Sequence, residues 1–232
     1  MAEAVLVVVA HPDDEILWLL PALERATLTI ATFAYEPWNE PLTRARERVR
    51  GEFPRPFEFL PLESARVFRK SDWESRRPTP YGVELLDTCS PVERERYVSN
   101  YERLLELLEP HVAASSEIYT HNPWGEYGHE EHVQVWRAVA LLAQRHHTTV
   151  WVWDGPGDRL LLARGMRLRA DHYTPLPSEL RSVELARDLD RFRELKRLYL
   201  EHGAWTRGPK HEPRAVGRYL EAVRAGTPVL SP

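Results

Sequence analysis

Two short clusters of histidines and carboxylates could carry chemistry in this sequence. His11 and Asp14 lie in the run Ala-His-Pro-Asp-Asp-Glu at 10–15, near the N-terminus. His129 and His132 lie far along the chain and are three residues apart, so both can project from one face of a helix. Imidazole nitrogens and carboxylate oxygens are ligands that zinc accepts. The two clusters predict a metal site if the fold brings them together.

The first cluster follows an apolar run that predicts a buried strand. Residues 5–9 are all apolar and mostly β-branched, which is typical of a strand covered on both faces in a parallel sheet. Pro12 ends this strand because proline has no N–H for the ladder. Asp13, Asp14 and Glu15 then fall in the first turn of a helix, where the helix dipole favours carboxylates. We therefore expect the cluster at the carboxyl end of a core strand, where open α/β sheets bind ligands.

The rest of the chain alternates between strand and helix patterns. Strands are predicted at 27–35, 57–62, 116–121 and 148–153, with a hairpin at 159–173. Helices are predicted at 15–26, 42–50, 92–112, 130–146, 178–202 and 213–225. The alternation indicates an α/β, Rossmann-like three-layer fold with a mostly parallel sheet flanked by helices, plus a C-terminal hairpin and helices. The first and fourth strands are neighbours at the switch point of this topology, so both clusters would meet there.

Composition excludes several classes of protein. A chain of 232 residues, 43% of them hydrophobic, predicts a single domain spanning 1–232. A net charge of −4 gives no reason to expect a nucleic acid or an anionic membrane as partner. The single cysteine, Cys89, excludes an internal disulfide and fits a reducing compartment. The apolar start is too short to span a bilayer and follows Glu3, not a basic flank, so we expect a cytoplasmic protein. A homo-oligomer is compatible with the sequence.

The two clusters together suggest a catalytic metal site. With His11 and Asp14, His132 would form a set of two nitrogens and one oxygen, which leaves a fourth position for water as in catalytic zinc sites. Asp13 would stand beside that water as general base, and His129 would face the reacting carbonyl from the other side. Such a set also accepts Fe²⁺ or Co²⁺.

Each pattern also has a simpler interpretation. An acidic run after a strand suits any helix N-terminus, and acidic pairs also open magnesium-dependent α/β domains. A His-x-x-His pair alone is unspecific and differs in spacing from the His-Glu-x-x-His zinc motif. A sugar- or nucleotide-binding module without catalysis is therefore a second hypothesis. A dinucleotide-binding oxidoreductase is excluded, because no Gly-x-Gly-x-x-Gly follows the first strand. Surface or packing positions are expected for the other histidines considered, namely His121, His146, His147 and His172.

At these clusters the sequence resembles the LmbE-like (PIG-L) N-acetylglucosaminyl deacetylases. The first signature of that family, Ala-His-Pro-Asp-Asp-Glu, stands unaltered at 10–15, and its Gly-His-x-x-His element matches 128–132. Residues 199–206 resemble the late helix and Trp-Thr segment of the family. The resemblance implies a zinc-dependent hydrolase that removes an N-acetyl or other N-acyl group from a glucosamine-type small molecule.

The resemblance also implies roles for individual residues. Zinc would be held by His11, Asp14 and His132. Asp13 would be the general base, His129 would stabilise the oxyanion or protonate the departing amine, and Tyr127 would contribute to the carbonyl side. The helix dipole disfavours an imidazolium at position 129, so His129 needs a compensating carboxylate such as Glu131 or acts as a neutral donor.

The sequence departs from the family at two places. Residues 16–20 read Ile-Leu-Trp-Leu-Leu where the family usually has small residues, which predicts a narrower or reshaped pocket rim. The second signature reads His-Glu-Glu-His in place of His-Pro-Asp-His, so Glu131 is expected to supply the acidic group beside the ligands.

Two loops are candidates for the substrate wall. Residues 122–127 include the aromatic residues Trp124 and Tyr127, and Trp124 could stack on a sugar face. The polar segment 63–91 is longer than most loops of compact domains, and such loops are often functional. Its candidate wall residues are Trp73, Arg76, Arg77 and Tyr81.

Overall fold

The fold is organised around one large sheet with helices on both faces. The computed structural model describes residues 4–73, 75–154, 181–208, 210–213 and 215–224. Its strands are β1 (Val5–Val9), β2 (Leu28–Ala31), β3 (Phe57–Phe59), β4 (Pro78–Thr79), β5 (Gly82–Val83), β6 (Glu117–Thr120), β7 (Thr149–Trp153), β8 (Ser182–Ala186) and β9 (Val216–Val223). Its helices are α1 (Asp14–Trp18), α2 (Leu20–Leu23), α3 (Glu40–Glu52), α4 (Pro91–Ala113), α5 (Gly125–Gly128), α6 (Glu130–His146) and α7 (Leu189–His202).

The order of the strands brings the two predicted clusters to the same edge. The seven-stranded sheet has the order β3-β2-β1-β6-β7-β9-β8. The first five strands are parallel, and β9 pairs antiparallel with both β7 and β8. In the register of β1 and β6, Val8 pairs with Thr120, so both strands end level with each other. The predicted α/β fold with a mostly parallel sheet and adjacent first and fourth strands is confirmed.

The C-terminal part departs from the predicted helices. Residues 216–223 form β9, so the helix predicted at 213–225 is wrong. Tyr219 and Glu221 lie on the buried face of β9, and the strand is completed by hydrogen bonds to neighbours on both sides. The helix predicted at 178–202 begins only at residue 189, because the Asp188 side chain caps it by accepting the N–H groups of residues 190 and 191. The hairpin predicted at 159–173 lies outside the described residues.

The helix predicted at 15–26 is divided into two short helices. Leu19, with φ −117° and ψ 14°, interrupts the helical backbone between α1 and α2. Pro21 then lies in the first turn of α2, where its missing N–H costs no hydrogen bond. The interruption leaves α1 as a single turn whose residues are all buried.

Two apolar clusters cover the two faces of the sheet. On one face, α4 and α6 pack against the strands, and Leu104 and Leu108 of α4 are fully buried there. On the other face, α1, α2 and α7 pack with Trp153 and Tyr219. Among the residues that the structure describes, no helix combines the length and the apolar character needed to cross a bilayer.

The long segment 63–91 is packed against the body of the fold. It contains the β4–β5 hairpin, and Trp73 forms a small buried cluster with Val83 and Val133. The Arg76 guanidinium is also buried and donates to the carbonyl oxygen of Pro123 at 2.9 Å. Both side chains were expected in a substrate wall, but they fix the segment to the rest of the chain.

Replacement of Leu104 by alanine tests this packing. We expect Leu104→Ala to lower the free energy of unfolding by about 2–5 kcal/mol, because it leaves a cavity in a fully buried site. Urea titration followed by circular dichroism measures the change. Leu200→Ala in the half-exposed position of α7 is the control, expected to cost less than about 1 kcal/mol. Equal losses in the two variants would contradict this packing of α4.

Candidate metal centre

The three predicted metal ligands converge at the carboxyl ends of β1 and β6. His11 lies just beyond β1, Asp14 opens α1, and His132 lies in the first turn of α6. Oδ2 of Asp14 is 3.4 Å from Nδ1 of His11 and 3.2 Å from Nε2 of His132. His132 is fully buried, and its Nε2 makes no hydrogen bond within the described part of the chain. A buried nitrogen without a hydrogen bond, aimed at a carboxylate, fits a cation between them.

Glu126 orients two of the histidines through one oxygen. Its Oε2 lies 2.6 Å from Nδ1 of His132 and 2.9 Å from Nδ1 of His121. When His132 is neutral, this contact holds its proton on Nδ1 and leaves the Nε2 lone pair for a metal ion. The pKa of Glu126 falls to about 2, because the two imidazoles outweigh the effect of burial. Sequence analysis missed Glu126, and its spacing carries no signal of this role.

His121 belongs to the site but is already engaged through both ring nitrogens. Its Nε2 accepts the N–H of Ala10 at 2.8 Å, and its Nδ1 faces Glu126. Burial lowers the pKa of His121, in keeping with a neutral ring. The expected packing role is therefore compatible with its position, which is buried against His132 at a ring-centroid distance of 3.9 Å.

Glu131 holds the second imidazole of the predicted set. Its Oε2 lies 2.8 Å from Nε2 of His11, so Nδ1 of His11 faces Asp14. The same carboxylate accepts the Ser64 hydroxyl at 3.0 Å and the Ala65 N–H at 2.6 Å. Glu131 thus supports a predicted ligand, as its acidic character predicts, but it pairs with His11 and not with His129.

The neighbouring Glu130 fixes the loop that covers the site. Its carboxylate accepts the N–H groups of Arg69, Lys70 and Ser71 and the indole N–H of Trp73. Burial raises the pKa of Glu130 to about 7, although these donors act against the shift. Two adjacent glutamates of α6 therefore bind one continuous stretch of the 63–91 segment.

His132 is the ring shared by two groups of possible metal ligands. Two triads bring possible ligand atoms within 4.8 Å of one another: His11, His129 and His132, and Asp14, His121 and His132. The ring of His129 stacks on His132 at 4.4 Å and 15°, so their in-plane lone pairs run side by side. The ring of His11 is inclined to His132 by 43°, so those two planes intersect. The predicted set of His11, Asp14 and His132 takes His11 from the first triad and Asp14 from the second, and this choice of ligands stays a prediction.

The electrostatics of the site favour positive charge. Burial lowers the pKa of His11, but Asp14 and Glu131 outweigh it and raise the pKa to about 9. Burial also lowers the pKa of His132, but Asp14 and Glu126 outweigh it, so the pKa is raised. The pKa of Asp14 lies well below its usual range, because the imidazoles outweigh burial. A divalent cation that bound at His11 and His132 would have to displace these protons.

Asp13 is held beside this set in an unusual backbone conformation. Its φ of 102° lies in the left-handed region that glycine favours. Its N–H donates to Glu15 Oε2 and to the Tyr199 hydroxyl, and its Oδ2 accepts both the N–H and the hydroxyl of Thr206. Burial and the neighbouring Asp14 raise the pKa of Asp13 to about 6, although Thr206 lowers it.

His129 lies on the opposite side of His132 from His121. Its ring is sandwiched between His132 and Phe68, which stacks on it at 4.8 Å and 13° and is 40% exposed. Nδ1 of His129 accepts the N–H of Glu131 at 3.3 Å, which leaves the proton on Nε2. Burial and the neighbouring imidazoles His132 and His11 hold the pKa of His129 well below its usual range. His129 is therefore a neutral N–H donor.

Aromatic side chains and one guanidinium line the other side of the site. Tyr127 is buried, with its ring edge toward His132 at 5.5 Å. The Arg207 guanidinium lies 4.2 Å from the Tyr127 ring centroid, a cation–π contact that sequence analysis did not anticipate. Trp124 is half-buried in the turn before α5, where its N–H donates to the Asn122 side chain.

The bulky residues after the first signature form a buried wall instead of a pocket rim. Residues 16–20 are all buried. Trp18 packs against Trp153 at 4.6 Å and lies 6.1 Å from Tyr127. Its indole Nε1–H donates to Oδ1 of Asp14 at 3.1 Å. These residues therefore lie inside the fold, and one of them directly contacts a predicted metal ligand.

Replacement of Glu126 tests how the site binds a metal ion. We expect Glu126→Gln to weaken zinc binding by about 10- to 100-fold, because the amide no longer fixes the His132 proton on Nδ1. Competition with a chromophoric chelator measures the affinity. Glu109→Gln, which alters the surface contact with His146, is the control and should leave the affinity unchanged. Unaltered zinc binding in Glu126→Gln would contradict the proposed orientation of His132.

Known structures share the architecture described above. No protein-family model and no curated protein sequence matches the chain. Among solved structures, the A40926 pseudoaglycone deacetylase Dbv21 is 14% identical with a TM-score of 0.52, and the match covers 98% of this chain and 100% of that one. A zinc-inhibited form of the teicoplanin deacetylase Orf2 is 14% identical with a TM-score of 0.55, over 96% of this chain and 99% of that one. A deacetylase–teicoplanin complex gives 13% identity and a TM-score of 0.54 over 96% and 99%. The chain therefore has the fold of these deacetylases along nearly its whole length.

Proposed function

We propose that this protein is a metal-dependent N-deacetylase acting on an N-acyl amino sugar in a small molecule. The observation that carries the proposal is the convergence of His11, Asp14 and His132, with a hydrogen-bond-free Nε2 on His132 beside the Asp14 carboxylate. The fold shared with solved deacetylases and the two signatures resembling the LmbE-like family support the same conclusion.

The residues proposed to hold the metal ion are His11, Asp14 and His132. Two nitrogens and one carboxylate oxygen suit zinc, and Fe²⁺ or Co²⁺ is an alternative occupant. A bound divalent ion supplies a Lewis acid that polarises a carbonyl group and lowers the pKa of water toward about 7. Glu126 and Glu131 hold the two imidazoles in place, so the ligands need little reorganisation.

Asp13 is the proposed general base. Its Oδ2 is held by Thr206, so Oδ1 is the oxygen that takes a proton from the attacking water. A pKa of about 6 leaves Asp13 mostly ionised at neutral pH, yet basic enough to accept that proton. As the carbon–nitrogen bond breaks, Asp13 returns the proton to the amine, and the products are the free acid and the amino sugar.

His129 is the proposed donor to the oxygen of the tetrahedral intermediate. Its neutral Nε2–H carries no charge that the helix N-terminus would oppose. Stacking between Phe68 and His132 fixes the plane of the ring, so this donor is preorganised. One such donor typically contributes about 3 kcal/mol to the stabilisation of the transition state.

The substrate side is assigned to Tyr127 and Trp124. Tyr127 lies next to both His129 and His132, which supports a role on the carbonyl side, and half-buried Trp124 is the proposed stacking partner of a sugar. The structural neighbours are deacetylases of A40926 pseudoaglycone and of teicoplanin. By analogy, we propose that the amino sugar of the substrate carries a larger aglycone.

Replacement of the general base tests the proposal. Asp13→Asn should lower kcat for acetate release from N-acetylglucosaminides by about 10²- to 10⁴-fold, because the amide cannot take the proton. Zinc content, measured by elemental analysis, should remain that of the parent. Asp87→Asn, an exposed position, is the control. Unchanged turnover in Asp13→Asn would refute the assigned role.

Removal and return of the metal ion provide a second test. Dialysis against a chelator should abolish acetate release, and stoichiometric zinc should restore it. Zinc is added in stoichiometric amounts, because a zinc-inhibited form of one structural neighbour is known. Turnover that survives chelation would exclude a metal-dependent reaction. Sugar binding without turnover at any metal content would instead support a binding module.

A further inference from the structure

We infer that Trp18 is a positioning residue for the Asp14 carboxylate and thereby sets the affinity of the site for its metal ion. The inference rests on the proposed metal-dependent function. Its basis is the indole Nε1–H of Trp18, which donates to Oδ1 of Asp14 at 3.1 Å inside the protein. The two residues are four apart in α1, so they lie on the same side of its single turn.

The hydrogen bond determines which oxygen of Asp14 faces the imidazoles. Oδ1 is held by Trp18, whereas Oδ2 accepts the His11 N–H at 3.0 Å and lies 3.2 Å from Nε2 of His132. With both oxygens held, the carboxylate cannot rotate about its Cβ–Cγ bond without breaking a buried hydrogen bond. Trp18 therefore leaves Oδ2 facing the proposed metal site and holds Oδ1 away from it.

Trp18 is itself held at both its backbone and its ring. The carbonyl oxygen of Trp18 accepts the Tyr219 hydroxyl at 2.8 Å and a guanidinium N–H of Arg187 at 3.2 Å. The Trp153 ring packs on the indole at 4.6 Å. These contacts come from β7, β9 and the end of β8. The antiparallel edge of the sheet therefore holds Trp18, and Trp18 holds Asp14.

Trp18 could otherwise serve only to fill space, since it is 7% exposed in the apolar cluster. The two roles make different demands on the side chain. Filling space needs the ring, whereas positioning Asp14 needs the N–H group. A side chain that keeps the ring and loses the N–H therefore separates them.

The experiment compares zinc affinities by competition with a chromophoric chelator. Trp18→Phe removes the donor, and the isosteric replacement of Trp18 by 3-benzothienylalanine substitutes sulfur for the N–H while keeping both rings. We expect each to bind zinc about 10- to 100-fold more weakly than the parent, the range typical of lost hydrogen bonds to ligands. Trp153→Phe removes a comparable part of the same aromatic pair and should change the affinity less than about twofold, because Trp153 makes no indole bond to Asp14 in the described structure.

A spectroscopic measurement accompanies the affinities. The visible absorption of the cobalt(II)-loaded protein should change with 3-benzothienylalanine at position 18, because Asp14 is then free to turn, and should be unchanged in Trp153→Phe. Zinc affinity of the isosteric variant within twofold of the parent, or an equal loss in Trp153→Phe, would overturn the inference. Failure of the parent to bind zinc at all would instead overturn the proposed function.

Discussion

The centre depends on one carboxylate oxygen that serves two imidazoles. Oε2 of Glu126 faces Nδ1 of both His121 and His132, in the interior of the protein. The Nε2 atoms of the two rings face different groups, so the contact with Glu126 has a different consequence for each histidine. Nε2 of His121 accepts the Ala10 N–H just after β1, whereas Nε2 of His132 is directed toward Asp14. Glu126 thus joins the end of β1 to the start of α6 and, in the same interaction, orients the nitrogen that we propose binds a metal ion.

A second pair of carboxylates links the site to the loop above it. Glu130 and Glu131 are adjacent in α6, and both point their carboxylates at the N–H groups of the 63–91 segment. Glu131 also contacts His11, so one residue holds a proposed ligand and the loop together. Backbone donors and an imidazole satisfy these buried acids, which would otherwise carry a large desolvation cost. The shape of the covering loop is therefore tied to the same groups that position the histidines.

Local signals predicted the parts of the site that depend on local structure. The apolar run of β1, its end at Pro12 and the helical pattern of α6 placed His11, Asp14 and His132 correctly at one edge of the sheet. The helix at 213–225 was predicted wrongly, because that segment becomes a strand through pairing with β7 and β8, which lie far away in sequence. Glu126 was missed for a related reason. It reaches the histidines from a backbone with φ 55°, a conformation that its residue type does not signal. The direction of the Trp18 indole likewise depends on tertiary contacts.

The backbone of Asp13 has a strained conformation. A non-glycine residue with φ 102° costs about 1–3 kcal/mol, and the carboxyl group is buried as well. Glycine would adopt this turn without that steric cost, yet it has no group that can take a proton. The general-base role proposed for Asp13 would therefore come at a cost in the stability of the fold. On the role proposed for Asp13, a protein of this fold without hydrolase activity would be free to carry glycine here and avoid the strain, so the residue at this turn would separate the two kinds of protein.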